Sequence, residues 1–163
     1  MCIRDSPYSS GTAIVERLLG EPSRFPRLTV MLQKEVAERL GARPGSRSYG
    51  ALSVLTALRA HPTLLFDVPP AAFRPPPKVQ SAVVRLDVLP RIREDVPDPA
   101  FFARVVHGAF SQRRKTLRNS MRAAFGANGP KALEAAGIDP SRRAETLSLE
   151  EFVDLAREVG SLA

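Results

Sequence analysis

Between Phe110 and Ser120 the chain reads Phe-Ser-Gln-Arg-Arg-Lys-Thr-Leu-Arg-Asn-Ser, and its four cations, Arg113, Arg114, Lys115 and Arg118, limit how the flanking apolar residues can fold. At about 100° per residue, one straight helix from Phe102 to Phe125 would carry Arg113 into the stripe of Val106, Phe110 and Leu117. Burying an unpaired guanidinium costs several kcal/mol. The helix therefore has to break at Ser111-Gln112. A serine at such a break can accept a bond from an orphan backbone N–H and cap the next helix, leaving Arg113 and Arg114 free to reach outward. In that next helix Lys115, Arg118 and Arg122 share one face, with Leu117, Met121 and Ala124 on the other. One helix can then dock on a core and still present cations.

The positive charge is concentrated. Arg104 to Arg122 holds six Lys or Arg and no acid, whereas Glu134 to Ala163 holds seven acids against three arginines. The whole chain carries a formal charge of +7 with a pI near 10.5. Arginine far outnumbers lysine, and its planar fork grips phosphates and guanine edges bidentately. This is the footprint of a nucleic-acid-binding helix, with Gln112, Arg113, Arg114, Lys115, Arg118 and Asn119 as the candidate contacts. The plainer reading of such a run is a solvated helix face, in which case Lys34, Arg43 and Arg47 become the alternative cations.

At 163 residues and 44% hydrophobic content the chain can bury a core, in one domain or one and a half. No apolar run approaches the roughly 20 residues that span a bilayer, and no apolar signal core is present. These features predict a soluble, cytoplasmic protein with no membrane partner. The single cysteine, Cys2, excludes an intrachain disulfide and a cysteine-based metal site. Two isolated histidines add no metal site: His61 precedes Pro62 in an expected loop, and His107 sits in the apolar run Val105 to Phe110. Both are assigned structural places.

Two halves differ in pattern. Residues 10–19 form an amphipathic helix stopped by Gly20 and Pro22, residues 27–33 read as a buried strand, and residues 34–40 as a helix stopped by Gly41. A basic, Gly-containing loop over 42–48 leads into a helix over 49–60. Strands follow at 63–68 and 81–88, separated by a proline-rich loop over 69–78. Alternating strands and helices indicate an α/β sheet covered by helices. After a linker the pattern is all helical, with helices at 100–109, 115–125, 130–136 and 149–159.

The loop Val68-Pro-Pro-Ala-Ala-Phe-Arg-Pro-Pro-Pro-Lys-Val79 carries five prolines that fix their own φ and restrict the residues before them. It can hold Phe73 in a set place beside Arg74 and Lys78. Bases stack on aromatic rings for about 1 to 3 kcal/mol each, so Phe73 is a candidate platform. Burial of Phe73 in the core, or a polyproline ligand for another domain, are the competing readings.

Pro7-Tyr8, Met31-Leu-Gln-Lys-Glu-Val36, Tyr49-Gly-Ala-Leu-Ser-Val54, the proline loop, Ser81-Ala-Val-Val-Arg-Leu86 and Ala109 to Ser120 together resemble the ribosomal RNA small-subunit adenine dimethyltransferases. The resemblance runs from about residue 7 to the C-terminus, and its last two segments are highly specific. It implies an α/β fold made of the C-terminal part of a Rossmann-like methyltransferase sheet followed by a small all-helical domain. The expected division is 1–90 as an incomplete catalytic domain, 91–99 as linker and 100–163 as an RNA-binding domain. The Gly-rich turn that would hold S-adenosylmethionine has no counterpart here: Gly41, Gly45 and Gly50 do not open a helix after a strand. Residues 1–6 match nothing in the family and read as a foreign stretch, so the chain is expected to be an inactive portion of such an enzyme.

The resemblance also assigns roles. In the family an Asn-Leu-Pro-Tyr motif accepts the adenine amine's hydrogen bonds through the Asn side chain and a carbonyl beside the Pro. Here Asp5 stands at the Asn position, toward the cofactor, and Pro7 and Tyr8 keep the motif's end. Tyr8 stacks on one face of a flipped adenine and Phe73 closes the other. Lys34, Lys78 and the basic run contact RNA. The implied partners are ribosomal RNA and the small ribosomal subunit, the implied cofactor is S-adenosylmethionine, no metal is implied, and the full-length relative is expected to be a monomer. Two alternatives stay open: a macrolide-resistance type large-subunit methyltransferase, and a non-catalytic RNA-binding or ribosome-assembly module.

Overall fold

Ser81–Val88 sets apolar Ala82, Val84, Leu86 and Val88 in alternation with Ser81, Val83, Arg85 and Asp87, and in the computed structural model it becomes the central strand of a sheet. The structure describes residues 11–19, 25–92, 96, 98–112 and 114–162. Two compact units emerge, one of Met1–Gly41 and Thr56–Ile92, the other of Ala42–Leu55 and Arg93–Ala163. Residues 42–55 thus group with the helical half, whereas the sequence pattern placed every residue before 90 in the sheet domain.

In the first unit β1 (Arg27–Gln33), β2 (Ala60–Val68) and β3 (Ser81–Val88) lie in the order β1-β3-β2. Both pairings are antiparallel, with Leu28 opposite Leu86 and Leu64 opposite Val84. The expected α/β class holds, with the described sheet a three-stranded antiparallel one. Ala82, Val84 and Leu86 are almost inaccessible, and Leu28 and Leu32 extend the same buried face. Strand β1 is therefore buried on one face only, because Thr29 and Met31 alternate outward. Helix α1 (Gly11–Leu19) buries Val15 and Leu19, and α2 (Lys34–Leu40) packs on all three strands through Ala37 and Leu40. Ser10, Gly20 and Pro22, expected to bound α1, lie outside the described residues.

Strand β2 starts three residues earlier than the sequence suggests. His61 and Pro62 pair with Asp87 and Leu86, so neither lies in a loop. Proline is tolerated there because, among the described residues, β2 is an edge strand with no further ladder to supply. Leu64, Leu65 and Phe66 on this edge are 49%, 43% and 59% exposed.

Helix α3 (Ala51–Ala57), whose first five residues belong to the second unit, is shorter than the expected 49–60, since Ala60 already pairs with Val88 in the sheet. Helices α4 (Pro99–Phe110), α5 (Leu117–Phe125), α6 (Asn128–Ala135) and α7 (Leu149–Ser161) bury Phe102, Val105, Leu117, Met121, Leu133, Phe152 and Leu155. Asp98 caps α4 by accepting from the Ala100 N–H at 2.9 Å. Ser148 and Glu151 form a reciprocal capping box on α7. The crossing of α5 and α6 is tight: a Cβ on Gly129 would sit 2.3 Å from the Met121 carbonyl oxygen. Among the described residues no helix is long and apolar enough to cross a membrane.

Candidate nucleic-acid interface

The helix break falls where the buried-charge penalty demands it, α4 ending at Phe110 and α5 beginning at Leu117. The expected cap is different. Ser111 donates its Oγ and its N–H to the Gly108 carbonyl at 2.7 and 3.2 Å, closing α4 instead of starting α5. Thr116 is the N-cap of α5 and makes no side-chain cap bond. The first α5 donors are met by backbone instead: Leu117 N–H bonds the Arg142 carbonyl at 2.8 Å and Arg118 N–H the Pro140 carbonyl at 3.0 Å. Those two N–H groups at the helix start are not available to an anion.

Gln112, Arg114, Lys115, Arg118, Asn119 and Arg122 are all exposed, and Arg113 lies outside the described residues. Leu117, Ser120 and Met121 hold α5 to the core. Ala124, expected on that core face, is exposed, although its Cβ lies where a Cβ on Gly108 would come within 2.8 Å. Arg114 and Lys115 form no ion pair among the described residues. Arg118 approaches Glu134 at 3.9 Å, but both side chains are more than half exposed, 58% and 65%. Such a pair is worth little and yields readily to a phosphate. Arg104 instead lies over the Phe101 ring at 5.1 Å, and His107, in the apolar run Val105 to Phe110, is exposed.

The turn is held from below. Phe110 stacks on Phe152 at 5.7 Å between centroids and meets the edge of Tyr49 at 6.1 Å. The Tyr49 hydroxyl donates to the Leu147 carbonyl at 2.8 Å. Burial first, then the nearby Glu150 and Glu151 carboxylates, push the Tyr49 hydroxyl up to about 12. Sequence reasoning placed Tyr49 at a helix start and assigned it no such role. Only the hydrophobic neighbours of the 144–147 turn reveal it, and they are nearly a hundred residues away.

In the first unit, residues 70–72 form a 3-10 turn closed by Ala72 N–H to Pro69 O and Phe73 N–H to Pro70 O, at 3.0 and 3.1 Å. Arg74-Pro75 is a cis peptide. Phe73 is half-buried, not fully buried in the core. Arg74 and Lys78 are exposed and unpaired among the described residues. Lys34 is different. Its Nζ donates to Asp67 Oδ2 at 2.6 Å, and that bond raises the amine's pKa. Its charge is already committed across the start of α2 and the end of β2. Asp5, Pro7 and Tyr8 lie outside the described residues.

The β1-to-α2 junction, Gln33-Lys34, contains no glycine, Gly41 follows α2, and Gly45 and Gly50 lie in the loop before α3. The described residues therefore contain no glycine turn fitted to S-adenosylmethionine. No group of three or more His, Cys, Asp or Glu able to hold a metal occurs among the described residues.

The chain matches the family model described as ribosomal RNA adenine dimethylase over residues 1–160. It is 52% identical over 157 residues to the ribosomal RNA small subunit methyltransferase A of Syntrophotalea carbinolica, covering 95% of this chain and 60% of that one. The corresponding protein of a Chelativorans species is 48% identical over 160 residues, covering 96% and 56%. This chain thus spans little more than half the length of such relatives. Among solved structures, a dimethyladenosine transferase from Plasmodium falciparum superposes with a TM-score of 0.81 at 23% identity, covering 96% of this chain and 65% of that chain. The 23S rRNA methyltransferase ErmE gives 0.62 at 22% identity, covering 94% and 62%. At these identities the structural matches show the fold alone.

Proposed function

Because this chain belongs to the ribosomal RNA adenine dimethylase family, we propose that it takes part in dimethylating adenosines of small-subunit ribosomal RNA. The observation that carries the reading is 52% identity, across 95% of this chain, to a protein named ribosomal RNA small subunit methyltransferase A. On this reading the antiparallel strands are the C-terminal part of a Rossmann-like methyltransferase sheet, and the helical unit grips RNA.

The residues divide by task. Gln112, Arg113, Arg114, Lys115, Arg118 and Asn119 hold the RNA backbone, a sequence-independent grip that positions the substrate. Phe73, half-exposed beside Arg74 and Lys78, stacks on the flipped adenine, with Tyr8 on its other face. Asp5 and Pro7 stand where the family accepts the adenine amine's hydrogen bonds. The family's methyl donor is S-adenosylmethionine; the described residues do not form its cradle, so the roles derived for this chain are those toward RNA.

Dimethylation removes both hydrogens of the adenine amine and with them its Watson–Crick donor, so reverse transcriptase stops at the modified base. In cells of the source organism, disrupting the gene should turn such stops in small-subunit RNA into read-through while leaving large-subunit RNA unchanged. Read-through confined to large-subunit RNA, or no change in either, contradicts the proposal.

A further inference from the structure

The loop Arg43-Pro44-Gly45-Ser46-Arg47 is pinned to the helical unit at two points. Gly45, at φ 80°, donates its N–H to the Glu145 carbonyl at 2.7 Å. Two residues past Arg47, the Tyr49 hydroxyl bonds the Leu147 carbonyl at 2.8 Å. Between them Ser46 donates both its N–H and its Oγ to the Arg43 carbonyl, at 3.1 and 2.7 Å, and Tyr49 N–H bonds the Ser46 carbonyl at 3.1 Å. A loop tied in this way presents its side chains from a set place. Arg43 and Arg47 are both exposed and form no ion pair among the described residues.

The same loop ends beside the basic run. Tyr49 and Phe110 meet ring edge to face at 6.1 Å. Arg47 precedes Tyr49 by two residues and Gln112 follows Phe110 by two. Each residue extends the backbone by at most about 3.6 Å, so each is within about 7 Å of its ring-bearing neighbour along the chain. The two segments therefore leave one shared contact, Tyr49–Phe110, within a short length of chain. Three acids lie on this side: Glu151 is paired with Arg142, Glu145 stands 4.0 Å from Arg143 with both side chains about half exposed, and Glu150 lies near the Tyr49 hydroxyl; Arg43, Arg47, Arg114, Lys115 and Arg118 outnumber them. The surplus charge is positive.

We propose that Arg43 and Arg47 contact RNA phosphates together with the 112–118 segment, so that the grip is one surface built from two distant segments joined at Tyr49–Phe110. The inference rests on the RNA-binding role proposed above. It extends that surface to a segment of the chain that precedes β2.

The test is the salt dependence of affinity for purified, protein-free small-subunit ribosomal RNA. Removing one cation that neutralises a phosphate should flatten the slope of log affinity against log salt by about 0.7 to 0.9. Arg43→Ala with Arg47→Ala should flatten it by about two such steps, and Arg43→Lys with Arg47→Lys should retain it. Arg114→Ala with Lys115→Ala serves as the reference. If the reference variant flattens the slope and the Arg43/Arg47 alanine variant keeps the wild-type value, the grip is confined to 112–118 and this inference is overturned. If neither variant changes the slope, the RNA-binding reading itself fails, and this inference with it.

Discussion

The Tyr49 hydroxyl donates to the Leu147 carbonyl across nearly a hundred residues of sequence, and this bond holds the aromatic floor beneath the basic turn. The burial around this hydroxyl is open to titration. The phenol is raised to about 12, so folding favours the neutral form. The resulting stability is fully present below the unfolded value near 10 and is lost as pH climbs toward 12. In a Tyr8→Phe background, phenolate absorbance should show Tyr49 titrating near 12 when folded and near 10 in denaturant. A folded midpoint at the ordinary value contradicts the burial described. Tyr49→Phe, which keeps the ring, should cost about 0.5 to 1.5 kcal/mol in denaturant unfolding.

Helix α7 is started by Ser148 and Glu151, and Arg142 braces Glu151 with two guanidinium hydrogen bonds. Ser148→Ala should cost about 1 kcal/mol, the usual worth of an N-cap. The Arg142 hydrogen bond, then the Ser148 N–H, hold the Glu151 carboxyl below the usual glutamate range. A depressed carboxyl contributes stability above its unfolded value and loses it as pH falls through its folded value. Thermal melts taken from neutral pH downward should therefore show a loss in the acid range that Glu151→Gln diminishes. An equal acid loss in both proteins would refute the bracing role.

Gly129 admits helix α5 against α6, and a Cβ there would meet backbone, not a movable side chain. Gly129→Ala should destabilise by about 3 kcal/mol, the upper end for overpacking, because Met121 cannot step aside. Gly160, whose Cβ would meet only the Phe101 ring at 3.6 Å, should accept alanine with far less loss in the same denaturant series.

Local chemistry made much of this legible. Strands β1 and β3 and helix α2 begin and end where their residues change pattern, and the break after Phe110 follows from refusing to bury Arg113. What escaped depended on distant partners. Pro62 reads as a loop residue until β2 is known to be an edge. Ser111 reads as a cap for α5 until the 140–142 backbone is found bonding that helix's first N–H groups. Lys34 reads as a free cation until Asp67 is placed beside it. Tyr49 could not be given its place without the turn at Leu147. Asp5, Pro7, Tyr8 and Arg113 lie outside the described residues, and their roles rest on the family resemblance.

The RNA grip is tested most directly by the salt slope of binding to small-subunit ribosomal RNA, measured for the wild-type chain, for Arg113, Arg114, Lys115 and Arg118 changed together to Ala, and for Phe73→Ala. The quadruple change should flatten the slope by about 0.7 to 0.9 for each of up to four phosphates no longer neutralised. Phe73→Ala should lower affinity slightly at an unchanged slope, since stacking releases no counterions. A quadruple variant that keeps the full wild-type slope would show that the basic run is only a solvated face, and would contradict an RNA grip at this helix.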